Sequence, residues 1–157
     1  MEKIDCLKSS RVFKGLDEET LRKIGGSCEF ARFGKGEVVF EEGSMENLDL
    51  YVVAEGEVMI TTELVDPANE GLREIFFLTL LERGDTFGEI AILDRGPRTA
   101  TVKTNAETTL LRVPGEFLVR FAEENVEAGY RIMRNVAQVV CRRLREMDFV
   151  IKHGALL

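Results

Sequence analysis

The spacing of hydrophobic and polar positions changes character twice along the chain. Near the start, Leu16-Asp17-Glu18-Glu19-Thr20-Leu21 predicts a helix over about residues 16–25. Asp17 can accept from free N–H groups, the two glutamates meet the positive end of the helix dipole, and Leu16 and Leu21 take the staple positions. Gly25-Gly26 supplies a stop. From about residue 28 to 113 the texture becomes short β-prone runs, among them EVVF, DLYVVA, EVMITT, REIFFLTL, TATVKT and TTLLRV, punctuated by glycines at 36, 43, 56, 71, 84 and 96. Short strands with turn signals and no long interleaved helix predict a sandwich, jelly roll or small barrel. The polar stretch from Thr61 to Arg73 reads as the tip of a long hairpin.

After Val113 the period is helical again, over about residues 114–152. Pro114 suits a first helical position, and Phe117, Leu118 and Phe121 give one apolar face. A longer helix follows, with Tyr130, Met133, Ala137, Val140, Leu144, Met147 and Ile151 at alternating spacings of 3 and 4. That seam fits a homodimer through paired helices, and also one amphipathic helix lying on its own barrel. Ile132, Val136 and Val139 form a second, shorter stripe beside it.

Composition narrows the function. A chain of 157 residues, 45% of them hydrophobic, forms one domain with a sizeable core. The balance of 21 basic against 28 acidic residues gives a net charge of −7, which argues against a general phosphate-backbone binder and leaves room for one small anionic ligand. The single histidine, His153, allows no Ser-His-Asp or Cys-His arrangement and no multi-histidine metal site, so neither catalysis nor a metal is expected. Cys6, Cys28 and Cys141 are odd in number and far apart, which suits thiols in a reducing cytoplasm. The charged N-terminus lacks the apolar core of a signal peptide, and the longest nearly apolar run, Ile75 to Leu81, is too short to cross a membrane. Nothing after the last helix has room for a helix-turn-helix, so no direct DNA binding is expected.

One stretch interrupts the strand rhythm: Phe87-Gly88-Glu89-Ile90-Ala91-Ile92-Leu93-Asp94-Arg95-Gly96-Pro97-Arg98-Thr99-Ala100-Thr101-Val102. Ile90 to Leu93 suits one or two helical turns, whose free N–H groups attract phosphate. Gly88 lets backbone approach closely, and the Arg98 fork matches two phosphate oxygens. Glu89 can then accept from a hydroxyl such as that of ribose. A structural Glu89–Arg98 ion pair on a tight corner explains the same residues.

This segment resembles, without a gap from FGE through PRTAT, the phosphate-binding cassette of the cyclic nucleotide-binding domain family. Gly36 to Gly43, Leu50 to Val58, Arg83 to Gly88 and Phe13-Lys14-Gly15-Leu16 are similar to other signatures of that family, so the resemblance covers about residues 10 to 150. It implies a mainly β fold, a β-jelly-roll (double-stranded β-helix) barrel flanked by an N-terminal helix and two C-terminal helices. It also implies that Arg98 clamps a cyclic phosphate and that Glu89 accepts from the ribose 2′-hydroxyl. Backbone N–H groups near Gly88, Ile90 and Ala100 complete the cradle. Thr99 stands where a hydroxyl favours cGMP in some members and occurs in cAMP responders as well; the expected ligand is cAMP ahead of cGMP. The family's last helix covers the purine, which makes Arg142, Arg143 and Arg145 candidate base contacts, with Leu78 and Leu80 as apolar ones. The resemblance further implies signalling to an effector protein; a scaffold or dimerisation module that no longer responds to nucleotide is the alternative.

Overall fold

The computed structural model describes residues 2–66 and 68–152, so His153 and Pro67 lie outside the described residues. Two four-stranded antiparallel sheets form the body. One has the order β1 (Glu29–Phe33), β8 (Thr108–Val113), β3 (Leu50–Glu55), β6 (Thr86–Phe87); the other β2 (Val38–Phe40), β7 (Thr101–Thr104), β4 (Val58–Asp66), β5 (Asn69–Leu81). The first strand begins at Glu29 and the last ends at Val113, and β4 and β5 make the long hairpin.

The run LYVVA in β3 is buried at every position because both its faces are covered. Leu50, Val52 and Ala54 face a core shared with the helices, whereas Tyr51 and Val53 face a core of Val58, Ile60, Leu81, Phe87, Val102 and Leu110 inside the barrel. Tyr51 stacks on Phe87 with ring centroids 5.2 Å apart, and Phe40 lies 5.8 Å from Phe87.

The N-terminal helical region is larger than the sequence suggests. A helix α1 (Lys3–Ser9) and a 3-10 turn (Arg11–Phe13) precede α2 (Glu18–Ser27). Asp17 caps α2 by accepting from Thr20 N at 2.7 Å. The expected stop at Gly25-Gly26 is corrected: α2 continues through both glycines to Ser27, and Gly25 is buried beside α1, with room for a methyl group in ordinary contact with Leu7 and Lys3. Cys6 and Cys28 sit in this core, and burial pushes their thiols up to about 11 and about 12. Cys141 is exposed.

At the other end, α4 (Gly115–Glu124) and α5 (Val126–Lys152) follow β8. Pro114 is the residue before α4 rather than its first member. On α5 the shorter stripe faces inward: Ile132, Val136 and Val139 are buried in the helix-side core. The longer seam faces largely outward, with Tyr130 68%, Leu144 58% and Met147 49% exposed and Met133 and Val140 half-buried. Of the two readings of the seam, packing on the chain's own core holds for Met133 and leaves Tyr130, Leu144 and Met147 uncovered. The side chain of Ile151 lies outside what is described. No helix among the described residues is long and apolar enough to cross a membrane.

The junction between barrel and C-terminal helices is tight. Gly115 N donates to Asp49 Oδ1 at 3.2 Å, and a Cβ at Gly115 would stand 2.1 Å from Leu48 O. Because that oxygen is backbone, Gly115→Ala forces the loop or α4 to shift. The expected cost is about 1–3 kcal/mol, read as a fall of several degrees in the melting temperature by circular dichroism.

Candidate functional site

The interrupting segment folds as expected into a short helix, α3 (Glu89–Asp94), between β6 and β7. Gly88 precedes it with φ 85, the left-handed region that glycine enters without strain. A Cβ there would lie 2.7 Å from Asp49 O and 2.9 Å from Arg98 Nη1, so only glycine lets the arginine and the Asp49 backbone close around this corner. Arg95 ends α3, also at positive φ, and its Nη1 reaches Glu116 Oε1 on α4 at 3.1 Å.

Arg98 is 5% exposed and turned into the protein. Its Nη1 donates to Gly88 O at 3.2 Å, and its Nη2 donates to Asn47 Oδ1 and Asp49 O, both at 2.9 Å. The guanidinium carbon stands 4.2 Å from the centre of the Phe40 ring, a cation–π distance. Burial lowers the Arg98 pKa, while Tyr51, Asp49 and Glu89 pull it the other way. The cassette is tied to the turn after β2 by Gly43 N donating to Arg98 O at 2.8 Å and Arg98 N donating to Ser44 O at 2.9 Å. Asp49 connects the same cluster to the helices, since it accepts from Gly115 N and its Oδ2 lies 3.3 Å from Arg112 Nε.

Glu89 is the other charged member and is 1% exposed. Its partner is Arg143 on α5: Arg143 Nη1 donates to Glu89 Oε1, and Nη2 donates to Thr86 O. No ion pair joins Glu89 to Arg98 among the described residues, which sets aside the structural pairing that the sequence leaves open.

The remaining expected site residues divide. Gly88 and Ile90 are partly exposed at the start of α3, Ala100 is buried at 8% exposure, and Thr99 is exposed. Leu78 is 37% exposed and Leu80 is partly buried on β5, the strand of the long hairpin. Of the three candidate arginines on α5, only Arg143 reaches the cassette. Arg142 lies 3.8 Å from Glu146 and lines a cavity of about 370 Å³ together with Arg11, Lys14, Asn135, Gln138 and Val139, while Arg145 is exposed. Neither Glu89 nor Arg98 lines that cavity. The sequence reading missed Asn47, Asp49 and Phe40, which hold Arg98; the nearest signal was the Asn-Leu-Asp loop ahead of β3, whose Asn47 Oδ1 also accepts from Asp49 N at 3.1 Å. Among the described residues no group of three or more His, Cys, Asp or Glu could hold a metal ion.

A two-sheet barrel with a short cassette helix carrying a buried carboxylate and a buried guanidinium defines a class of regulatory ligand-binding domain. Residues 30–125 match the cyclic nucleotide-binding domain, and the chain belongs to that family. The chain is 28% identical over 144 residues to the CRP-like cAMP-activated global transcriptional regulator of Mycobacterium tuberculosis, a match that covers 92% of this chain and 59% of the regulator. Its fold is similar to the Thermus thermophilus catabolite activator protein, with TM-score 0.74 and 26% identity over 93% of this chain and 63% of that one. It is also similar to the regulatory domain of Toxoplasma gondii PKA in a co-crystal structure with cAMP, with TM-score 0.64 and 26% identity over 73% of this chain and 41% of that one. The chain thus spans about three-fifths of the length of the curated regulator it matches.

Proposed function

We propose that this chain is a cytoplasmic, non-catalytic receptor domain that binds a 3′,5′-cyclic nucleotide, cAMP ahead of cGMP, and signals through α5 to a partner protein. Arg98 takes the cyclic phosphate, Glu89 accepts from the ribose 2′-hydroxyl, and backbone N–H groups at Gly88, Ile90 and Ala100 complete the cradle. The observation that carries this reading is that Glu89 and Arg98, nine positions apart in the segment that contains α3, are buried groups of opposite charge with no ion pair between them among the described residues. A phosphate needs the cation, and a hydroxyl needs the carboxylate. The cAMP preference leans on two similar proteins, one described as cAMP-activated and one crystallised with cAMP. The net charge of −7 supports a module that does not itself bind DNA.

The outward seam on α5, with its exposed Tyr130, Leu144 and Met147, supports a homodimer. It equally suits a dimerisation module that has lost its response to nucleotide. Ligand-linked stability separates the two. At a cAMP concentration 100 times its Kd the receptor gains about 2.7 kcal/mol, and the melting temperature rises by roughly 5–10 °C. An unchanged melting temperature with millimolar cAMP and with cGMP favours the unresponsive module.

A further inference from the structure

The cavity of about 370 Å³ between the 3-10 turn and α5 is lined by three cations, Arg11, Lys14 and Arg142, by the carboxamides of Asn135 and Gln138, and by Val139. The four α5 residues lie three or four positions apart, on one face of the helix. The facing wall is held in place. Asn135 Nδ2 donates to Val12 O at 3.0 Å and to Lys14 O at 2.9 Å, Ser10 Oγ accepts from Val12 N at 3.2 Å, and Val12 and Phe13 are buried. The shape of the space is therefore set before anything enters it.

Among the described residues no carboxylate lines this cavity, although acidic residues outnumber basic ones by 28 to 21 along the chain. Two stand at its border. Glu146 Oε1 is 3.8 Å from Arg142 Nε, beyond hydrogen-bond length. Asp85 lines a smaller recess that shares Arg11, Val139 and Arg142, and its Oδ2 already accepts from Glu82 N at 3.0 Å. Arg142 Nε is left as a buried donor with no hydrogen-bond partner. Such a donor is costly, and at the wall of a cation-lined cavity it points to an acceptor that enters from outside.

We infer that this cavity is a second anion site, separate from the cassette, which takes a small phosphorylated molecule by its phosphate oxygens. Arginine and lysine side chains only donate, so the three cations suit an acceptor that carries full charge, and the guanidinium of Arg142 can present Nε and a terminal nitrogen as a fork. The Gln138 carboxamide can donate to a phosphate oxygen or accept from a hydroxyl on the rest of the molecule. The volume is at the small end of ligand cavities, which fits a phosphate with a modest body attached. A molecule that touches Arg11, Lys14 and Arg142 together ties the 3-10 turn to the C-terminal half of α5. Neither Glu89 nor Arg98 lines the cavity, so this site stands whether or not the cassette binds a nucleotide.

Inorganic pyrophosphate is the probe, titrated by calorimetry into wild type, into Arg11→Gln with Arg142→Gln, and into Arg98→Leu. About 0.15 M sodium chloride in every titration screens loose surface charge. Arg11 and Arg142 belong to neither hydrophobic core, so the double variant should fold, as circular dichroism will check. Wild type should give saturable heat at millimolar pyrophosphate, and the double variant should bind at least about tenfold more weakly. Lys14→Gln, at an exposed side chain, should weaken binding by a smaller factor and serves if the double variant does not refold. Folded Arg98→Leu should still bind. No heat from wild type, affinity unchanged in the folded cavity variants, or binding lost in folded Arg98→Leu and kept in the double variant overturns the second site. None of these results bears on cAMP, whose own titration decides the receptor reading.

Discussion

Arg98→Leu lowers cyclic nucleotide affinity by about 10- to 100-fold. Hydrogen bonds to a charged group contribute about 1.5–3 kcal/mol each, and leucine offers the cyclic phosphate neither a donor nor a charge. Stability falls as well. Arg98 supplies donors to Gly88 O, Asn47 Oδ1 and Asp49 O and covers the Phe40 ring, so its removal leaves Gly88 O and Asp49 O at one corner to find other donors, while Asn47 Oδ1 keeps Asp49 N. Each acceptor left buried without a donor costs about 1–3 kcal/mol. Arg98→Lys keeps the charge but not the fork, so it should bind more weakly than wild type and better than the leucine variant. Calorimetric affinities read together with thermal melts separate the two losses. A leucine variant that binds as tightly as wild type removes Arg98 from the phosphate site.

Leu144→Lys with Met147→Lys converts the expected dimer to monomer. Both side chains are about half exposed on the outward stripe of α5 and neither belongs to the helix-side core, so the substitutions spare the fold. In a parallel pair each lysine would meet its own copy across the seam, and burying like charges without partners is strongly unfavourable. Val140 is less suitable because it is half-buried within the chain. Sedimentation equilibrium at tens of micromolar should give the mass of two chains for wild type and of one for the double variant. A wild type that sediments as a single chain contradicts dimerisation through α5.

What was legible in the sequence follows from how local each determinant is. The α2 cap at Asp17, the start of α3 at Gly88-Glu89 and the limits of the barrel are set by residues within a few positions of one another. Helix α1 has seven residues, too few for a period to declare itself, and it is held by burial of Cys6 and Leu7 against α2 and the barrel. The two stripes of α5 both obey helical spacing. Tertiary packing sends Ile132, Val136 and Val139 inward, and no local rule distinguishes that outcome from its reverse. The cassette was readable as a motif because its groups lie within a dozen positions. Its surroundings were not, because Asn47, Asp49 and Arg143 come from 51, 49 and 54 positions away. For that reason Arg143 stood among three equivalent arginines in the sequence, and only the fold sets it apart.

On the proposed function, Glu89 and Arg98 form a working nucleotide site. Isothermal titration of the protein with cAMP and with cGMP, after denaturation and refolding to strip carried-over ligand, tests it most directly. Saturable heat with one site per chain and tighter binding of cAMP is the expected result. No heat with either nucleotide at millimolar concentration, from a protein whose circular dichroism shows it refolded, would contradict it.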